Sequence, residues 1–359
     1  MSIEILQNDA LDLLKSLVQT PSLSKQEKET ADIIESFFAL KGIKTERIHE
    51  NIIARSPQFD ETQPTILLNS HHDTVKVVEG WTKDPFGAEV IDGKLYGLGT
   101  NDAGASLVGL ISTFLYFEER KQNPFNLLLV ASAEEEIFGE YGIGCLVDSS
   151  LPQIDLGIVG EPTGMQMAVA EKGLLVIDGY VKGVAGHAAR KDGVNAINLA
   201  LIDIAWLNSY EFIKQSSTLG NTLMTVTQIE AGHQHNVIPD ACHFVVDVRV
   251  NDRYTLEEVL KIIRDHTEAD MRPRSIKWHP SGIDVNHPIV QKGISIGMKI
   301  YGSPTLSDQV HLSGIPSVKI GIGESVRSHT PDEYIFIEEL NNGIIKYIEL
   351  LDGIIIPKI

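Results

Sequence analysis

His71 and Asp73 stand two residues apart, just after the apolar run Thr65-Ile66-Leu67-Leu68. Side chains at that spacing share a face while the chain stays extended. Asp73 can then accept a hydrogen bond from one imidazole nitrogen and leave the other free to bind a cation. Four more segments place an acid or an imidazole beyond an apolar run or within a turn. Asp102 lies in Tyr96-Gly97-Leu98-Gly99-Thr100-Asn101-Asp102-Ala103-Gly104, and Glu134-Glu135-Glu136 follows the apolar run 126–130. Glu161 lies in Val159-Gly160-Glu161-Pro162, and His329 in Arg327-Ser328-His329-Thr330-Pro331. Carboxylates and imidazoles are the usual ligands of divalent transition ions. Three adjacent carboxylates repel one another unless cations or solvent intervene, so the Glu triplet by itself reads equally well as a solvated acidic loop.

The glycine turn also invites comparison with a dinucleotide fingerprint. Asp102 occupies the place of the third glycine there and would set a negative charge against a pyrophosphate, which argues against a nicotinamide oxidoreductase. A phosphate-binding lysine loop is absent. A carboxylate held by a glycine turn suits a metal better.

Positioning these groups requires alternating elements. Helical apolar spacing predicts helices over 8–18 and 27–40, with Ser24 as a cap and Glu27 completing a capping box. Short apolar strands are expected at 52–54, 65–68 and 126–130, with a buried helix over 105–119 between the last two. This alternation predicts an α/β fold with a mixed, largely parallel sheet flanked by helices. After Lys172 the pattern changes to strands at 174–181, 221–228 and 243–250 with helices over 194–210 and 255–266, an α+β arrangement. Helix, strand and helix resume over 290–351. We therefore expect a discontinuous catalytic domain, 1–172 and 282–359, interrupted by an inserted α+β domain, 173–281.

The ordered set His71-x-Asp73, Gly99-x-x-Asp102, Glu134-Glu135, Gly160-Glu161-Pro162 and His329 resembles the two-zinc aminoacylase and carboxypeptidase family. Its members include acetylornithine deacetylase, succinyl-diaminopimelate desuccinylase and the glutamate-type carboxypeptidase. The resemblance covers nearly the whole chain. It implies two Zn2+ ions, with Co2+ or Mn2+ able to substitute. Asp102 would bridge them, with His71 and Glu161 on one and Glu135 and His329 on the other. It further implies Glu134 as general base, Asp73 as the partner orienting His71, and a cis peptide after Asp102. The family often has Met-Lys between the bridging acid and the next glycine, where this chain has only Ala103, so the loop beyond Asp102 is expected to depart from the family's.

Within the insertion, Gly183-Val184-Ala185-Gly186-His187 resembles the family segment whose His reaches the partner subunit's site, implying a homodimer through this domain with His187 acting in trans. Asn236 and Arg249 match segments that bind the substrate carboxylate, although an Arg in a strand also serves structural ion pairs. Ser307-Asp308 and residues 323–327 fall where relatives face the substrate. The implied substrate is a small N-acyl amino acid: acetylornithine, acetylcitrulline or succinylornithine in arginine biosynthesis. Succinyl-diaminopimelate and dipeptide or carboxypeptidase substrates stay open.

Thirty Lys and Arg against 49 Asp and Glu give a formal net charge of -19, which opposes nucleic acid and anionic membrane as partners. Only Cys145 and Cys242 are present, and no leader-like or bilayer-length apolar run is evident, so a cytoplasmic location is expected.

Overall fold

In the computed structural model the chain forms two compact units. One comprises residues 1–169, 282–301 and 307–359, the other 170–281 and 302–306. Residues 1–120, 123–147, 149–190 and 192–359 are described.

The first unit is built on a mixed sheet. Its strands run in the order Thr45–Ile48, Asn51–Arg55, Asn126–Ser132, Thr65–His71, Leu156–Val159, Ser317–Lys319 and Met167–Glu171. The four from Asn126–Ser132 to Ser317–Lys319 are mutually parallel, and the strands outside them pair antiparallel. Every residue of Thr65–His71 and Asn126–Ser132 is buried, which is why both read in sequence as unbroken apolar runs. Helices Ile3–Val18, Ala105–Glu119 and Ile337–Leu351 contribute Leu6, Leu14, Phe114, Ile344 and Tyr347 to one core. The approach is close at Gly109, where an added Cβ would lie 2.6 Å from Ile322 Cδ1. The chain thus delivers the carboxyl ends of four parallel strands to one edge of the sheet, where open α/β sheets place their ligands.

Both N-terminal helices start elsewhere than expected. The first begins at Ile3, where the Ser2 hydroxyl accepts from Ile5 N at 3.3 Å. The second begins at Lys28 without a side-chain cap. Ser24 and Glu27 form no capping box, because tertiary partners have taken both side chains: Ser24 Oγ donates to Asp73 Oδ2 at 2.7 Å, and Glu27 Oε1 accepts from Lys25 N and Glu134 N at 2.8 and 3.2 Å.

The second unit is a four-stranded antiparallel sheet in the order Leu223–Ala231, Ala241–Val250, Gly173–Lys182, Asp270–Pro273. Alternate residues Leu175, Ile177 and Val181, and Phe244, Val246 and Val248, share a core with helices Ala196–Ser209 and Leu256–His266. Thr255 and Glu258 cap the latter helix reciprocally. Among the described residues no helix is long and apolar enough to cross a membrane.

Candidate metal centre

His71 ends the strand Thr65–His71, and three acids from three other segments converge on its Nε2. Asp102 Oδ1 lies at 3.4 Å, Glu161 Oε1 at 3.8 Å and Glu135 Oε2 at 4.0 Å. Glu161 follows the parallel strand Leu156–Val159, and Glu135 follows Asn126–Ser132. Asp102 sits on the glycine turn before helix Ala105–Glu119, and its peptide bond to Ala103 is cis. The other carboxylate oxygen of Asp102 lies 3.5 Å from His329 Nε2, which is also 3.1 Å from Glu136 Oε2. Asp102 thus lies between the two imidazoles.

The geometry of the Glu triplet differs from the sequence expectation, which has Glu134 as general base and Glu135 on the same ion as His329. Glu134 instead has a left-handed backbone, φ 54°, and its Oε2 accepts from Tyr141 N at 3.2 Å within its own loop. A Cβ added to Gly139 would lie only 1.9 Å from that oxygen, so the glycine is what lets the Glu134 side chain fold back. Glu135 is the acid beside His71 and Glu161, and Glu136 is the acid beside His329. Nothing in three identical residue types signals this shift; the backbone turn at Glu134 decides it.

Asp73 meets His71 through its main chain as well as its carboxylate. His71 Nδ1 lies nearer the Asp73 main-chain O, at 3.0 Å, than its carboxylate, at 3.4 Å. The carboxylate chiefly holds the Glu loop, accepting from Glu135 N at 3.0 Å and Glu136 N at 3.2 Å besides Ser24 Oγ. Glu27 grips Glu134 N in the same way, so three consecutive main-chain N–H groups are anchored by two carboxylates. Ser24 and Glu27 read in sequence only as helix-start residues.

The electrostatics show what the site can accept. Burial, with the neighbouring charge of Glu161, pushes the Glu135 carboxyl well above the ordinary carboxylate range, and burial with Asp102 does the same to Glu161. Burial opposes a charged His71, yet Asp102 and Asp73 outweigh it and raise its imidazole well above normal. The hydrogen bond with Glu136 raises His329 to about 9. Crowded acids thus hold protons that divalent cations could replace. His71 Nε2 is buried without a hydrogen-bond partner and faces the carboxylates of Asp102, Glu161 and Glu135, so that a cation replacing its proton would meet a nitrogen donor there. The donor set fits divalent cations: the ligand-type atoms of His71, Asp102 and Glu136 lie within 4.8 Å of one another, as do those of His71, Glu135 and Glu161.

The remaining sequence candidates occupy varied settings. In the second unit His187 is exposed on a short strand, with its Nδ1 accepting from Ala189 N at 3.1 Å. Asn236 is exposed, and its main-chain O accepts from Ala188 N at 3.0 Å. Arg249 directs Nε and Nη2 to the Asp247 carboxylate at 2.8 and 3.1 Å, the structural ion pair that a strand Arg often makes. In the first unit Asp308 does not face solvent; it is buried and accepts from Ser132 Oγ at 2.5 Å. Arg327 is engaged bidentately by Glu339 at 2.6 and 2.9 Å. His72 is buried between Thr30 Oγ1 and Glu50 O, at 2.9 and 3.0 Å.

Acids and imidazoles gathered beside the carboxyl ends of the parallel strands suit a metal-dependent hydrolase. Residues 67–352 match the family described as Peptidase family M20/M25/M40, and the chain belongs to that family. Acetylornithine deacetylase of Shigella sonnei is 27% identical over 379 residues, covering 94% of this chain and 96% of that protein. Succinyl-diaminopimelate desuccinylase 2 of Ruegeria sp. is 26% identical over 282 residues, covering 73% of this chain and 70% of that protein. In fold the chain is similar to a dinuclear metal-binding peptidase of the M20 family from Bacillus subtilis, with TM-score 0.73 at 18% identity over 97% of this chain and 98% of that one.

Proposed function

We propose that the chain removes the acyl group from a small N-acyl amino acid, N-acetylornithine, N-acetylcitrulline or N-succinylornithine, as a step of cytoplasmic arginine biosynthesis. The observation that carries this reading is the place of Asp102 between two imidazoles, with a further buried carboxylate, Glu135, beside them. His71, Asp102 and Glu161 would hold one divalent ion, and Asp102, Glu136 and His329 a second, Zn2+ in each case. Such ions supply Lewis-acid polarisation of the acyl oxygen and ease deprotonation of water. Glu135 is the general base in this reading: it takes the proton of the attacking water and returns it to the leaving amine. Asp73 orients His71 and fixes the Glu135–Glu136 main chain.

Residues 173–281 serve as the lid and dimerisation domain in this proposal, and 1–172 with 282–359 as the catalytic domain. Helix Ala196–Ser209 supports the dimer, because Leu199, Leu201 and Ile202 are exposed on it at 38%, 52% and 67%. His187 would act in trans on the oxyanion, and Asn236 and Arg249 would bind the substrate carboxylate. For Arg249 this means sharing its guanidinium with Asp247.

Desuccinylation of succinyl-diaminopimelate is an equal alternative, since relatives of both names match at similar identity. A dipeptidase or carboxypeptidase would use the same centre. The test is hydrolysis by metal-reconstituted protein across acetyl and succinyl derivatives of ornithine, citrulline and diaminopimelate, together with dipeptides. The highest kcat/KM is expected on an acylated ornithine or citrulline. Preference for a dipeptide overturns the substrate assignment, and no metal-dependent hydrolysis of any compound overturns the whole reading.

A further inference from the structure

Asp102 and His329 come from segments more than two hundred residues apart, and their side chains meet only at a 3.5 Å ion-pair contact. Glu333 connects the two segments. Four residues beyond His329 and 2% exposed, it points its carboxylate into the glycine turn, where Oε1 accepts from Asn101 N at 2.8 Å and Asp102 N at 3.0 Å. The Glu333 main chain joins in, its O accepting from Gly97 N at 3.0 Å. Asn101 closes the loop from the other side. Its Oδ1 accepts from Glu324 N at 2.9 Å, and its Nδ2 donates to Glu324 O at 3.1 Å and to Ser328 Oγ at 3.4 Å. The turn carrying Asp102 and the segment carrying His329 are thus strapped together at residues 324, 328 and 333, on both sides of His329.

We propose that Glu333 is a positioning residue for the metal centre: its buried carboxylate gathers the main-chain N–H groups of the Asp102 turn and fixes Asp102 against His329, so that both can hold one cation. The proposal rests on the metal-centre reading above. Its chemistry is that of outer partners that orient ligands, whose loss typically weakens metal binding by about 10–100-fold. Hydrogen-bond acceptance, not charge, is what the geometry requires. A glutamine supplies the same oxygen at the same reach, whereas alanine leaves the Asn101 and Asp102 N–H groups without that acceptor.

The test is Co2+ titration of the metal-free full chain, followed by calorimetry and by the visible absorption of bound Co2+, for wild type, E333Q, E333A and E333D. Wild type is expected to take up two ions. E333A should retain one and bind the other at least about 10-fold more weakly, with a changed Co2+ spectrum for that site, and E333Q should stay within about threefold of wild type at both. Should E333A fail to fold, E333D carries the test: the shortened reach predicts the same selective weakening of one ion. A merely structural role would lower the melting temperature of the metal-free protein and leave both affinities alone. Unchanged affinities in E333A or E333D overturn the proposal, as does E333Q failing as badly as E333A. Wild type that binds no Co2+ brings down the metal-centre reading itself, a result distinct from either.

Discussion

Exchanging Glu135 and Glu134 in turn for glutamine separates two residues that differ only in backbone turn. Glu135 is 8% exposed, with Oε2 4.0 Å from His71 Nε2, whereas Glu134 spends its Oε2 on Tyr141 N. A positioned general base contributes about 10²–10⁴-fold to rate, so E135Q should lower kcat by that factor, about 2.7–5.5 kcal/mol of activation free energy. The fold should not suffer. Burial and the Glu161 charge already disfavour an ionised Glu135, and a neutral amide relieves that repulsion. E134Q keeps an oxygen able to accept from Tyr141 N and should stay within about threefold of wild type, ~0.6 kcal/mol. The assay is steady-state hydrolysis of the best acyl amino acid, with metal content measured on each variant to confirm that E135Q still holds two ions. If E134Q loses 10²-fold or more while E135Q stays active, Glu134 is the base and the register drawn from the structure is wrong. If E135Q loses an ion, Glu135 is a ligand and not the base.

Other perturbations probe the supports. Gly139→Ala drives a methyl into the Glu134 carboxylate, and chemical denaturation should show a loss of about 1–3 kcal/mol, the usual cost of overpacking; unchanged stability would mean the Glu134 side chain is not held there. In the second unit, the Arg274 guanidinium, aided by His243, holds the Asp178 carboxyl down at about 2 from an ordinary 3.8. A depressed carboxylate stabilises the fold above its unfolded pKa and loses that contribution as pH falls through the folded value, here between about pH 4 and pH 2. The drop caps the contribution near ~2.5 kcal/mol, and screening at the half-exposed Arg274 reduces it to about 1 kcal/mol. Urea melts should therefore show D178N less stable than wild type at pH 6 and the two converging by pH 2; an equal gap at both pH values would contradict the pairing.

The parts of this molecule that were legible in the sequence are those fixed by local pattern. Strands Thr65–His71 and Asn126–Ser132 and helix Ala105–Glu119 announce themselves through continuous apolar content, because burial on all sides demands it. His71, Asp102, Glu161 and His329 stood out through the ordered motif set that resembles the family, and in the structure His71 lies near Asp102 and Glu161, and Asp102 near His329. What stayed hidden depends on long-range partners. Ser24 and Glu27 spell a capping box, yet Asp73 and Glu134 N, far along the chain, take their side chains. The division of labour in the Glu triplet turns on one left-handed residue beside a glycine. Glu333 looks in sequence like one more acid among 49. Its role appears only when its hydrogen bonds to Asn101 and Asp102 are seen.

The central proposal is that Asp102 would serve two cations, with Glu136 and not Glu135 completing the set at His329. Crystals of the protein grown with Zn2+ and measured at the zinc absorption edge test it most directly. The account predicts two anomalous peaks, one among His71, Asp102 and Glu161 and one among Asp102, Glu136 and His329. A single peak, or a second ion ligated by Glu134 or Glu135 in place of Glu136, would contradict it.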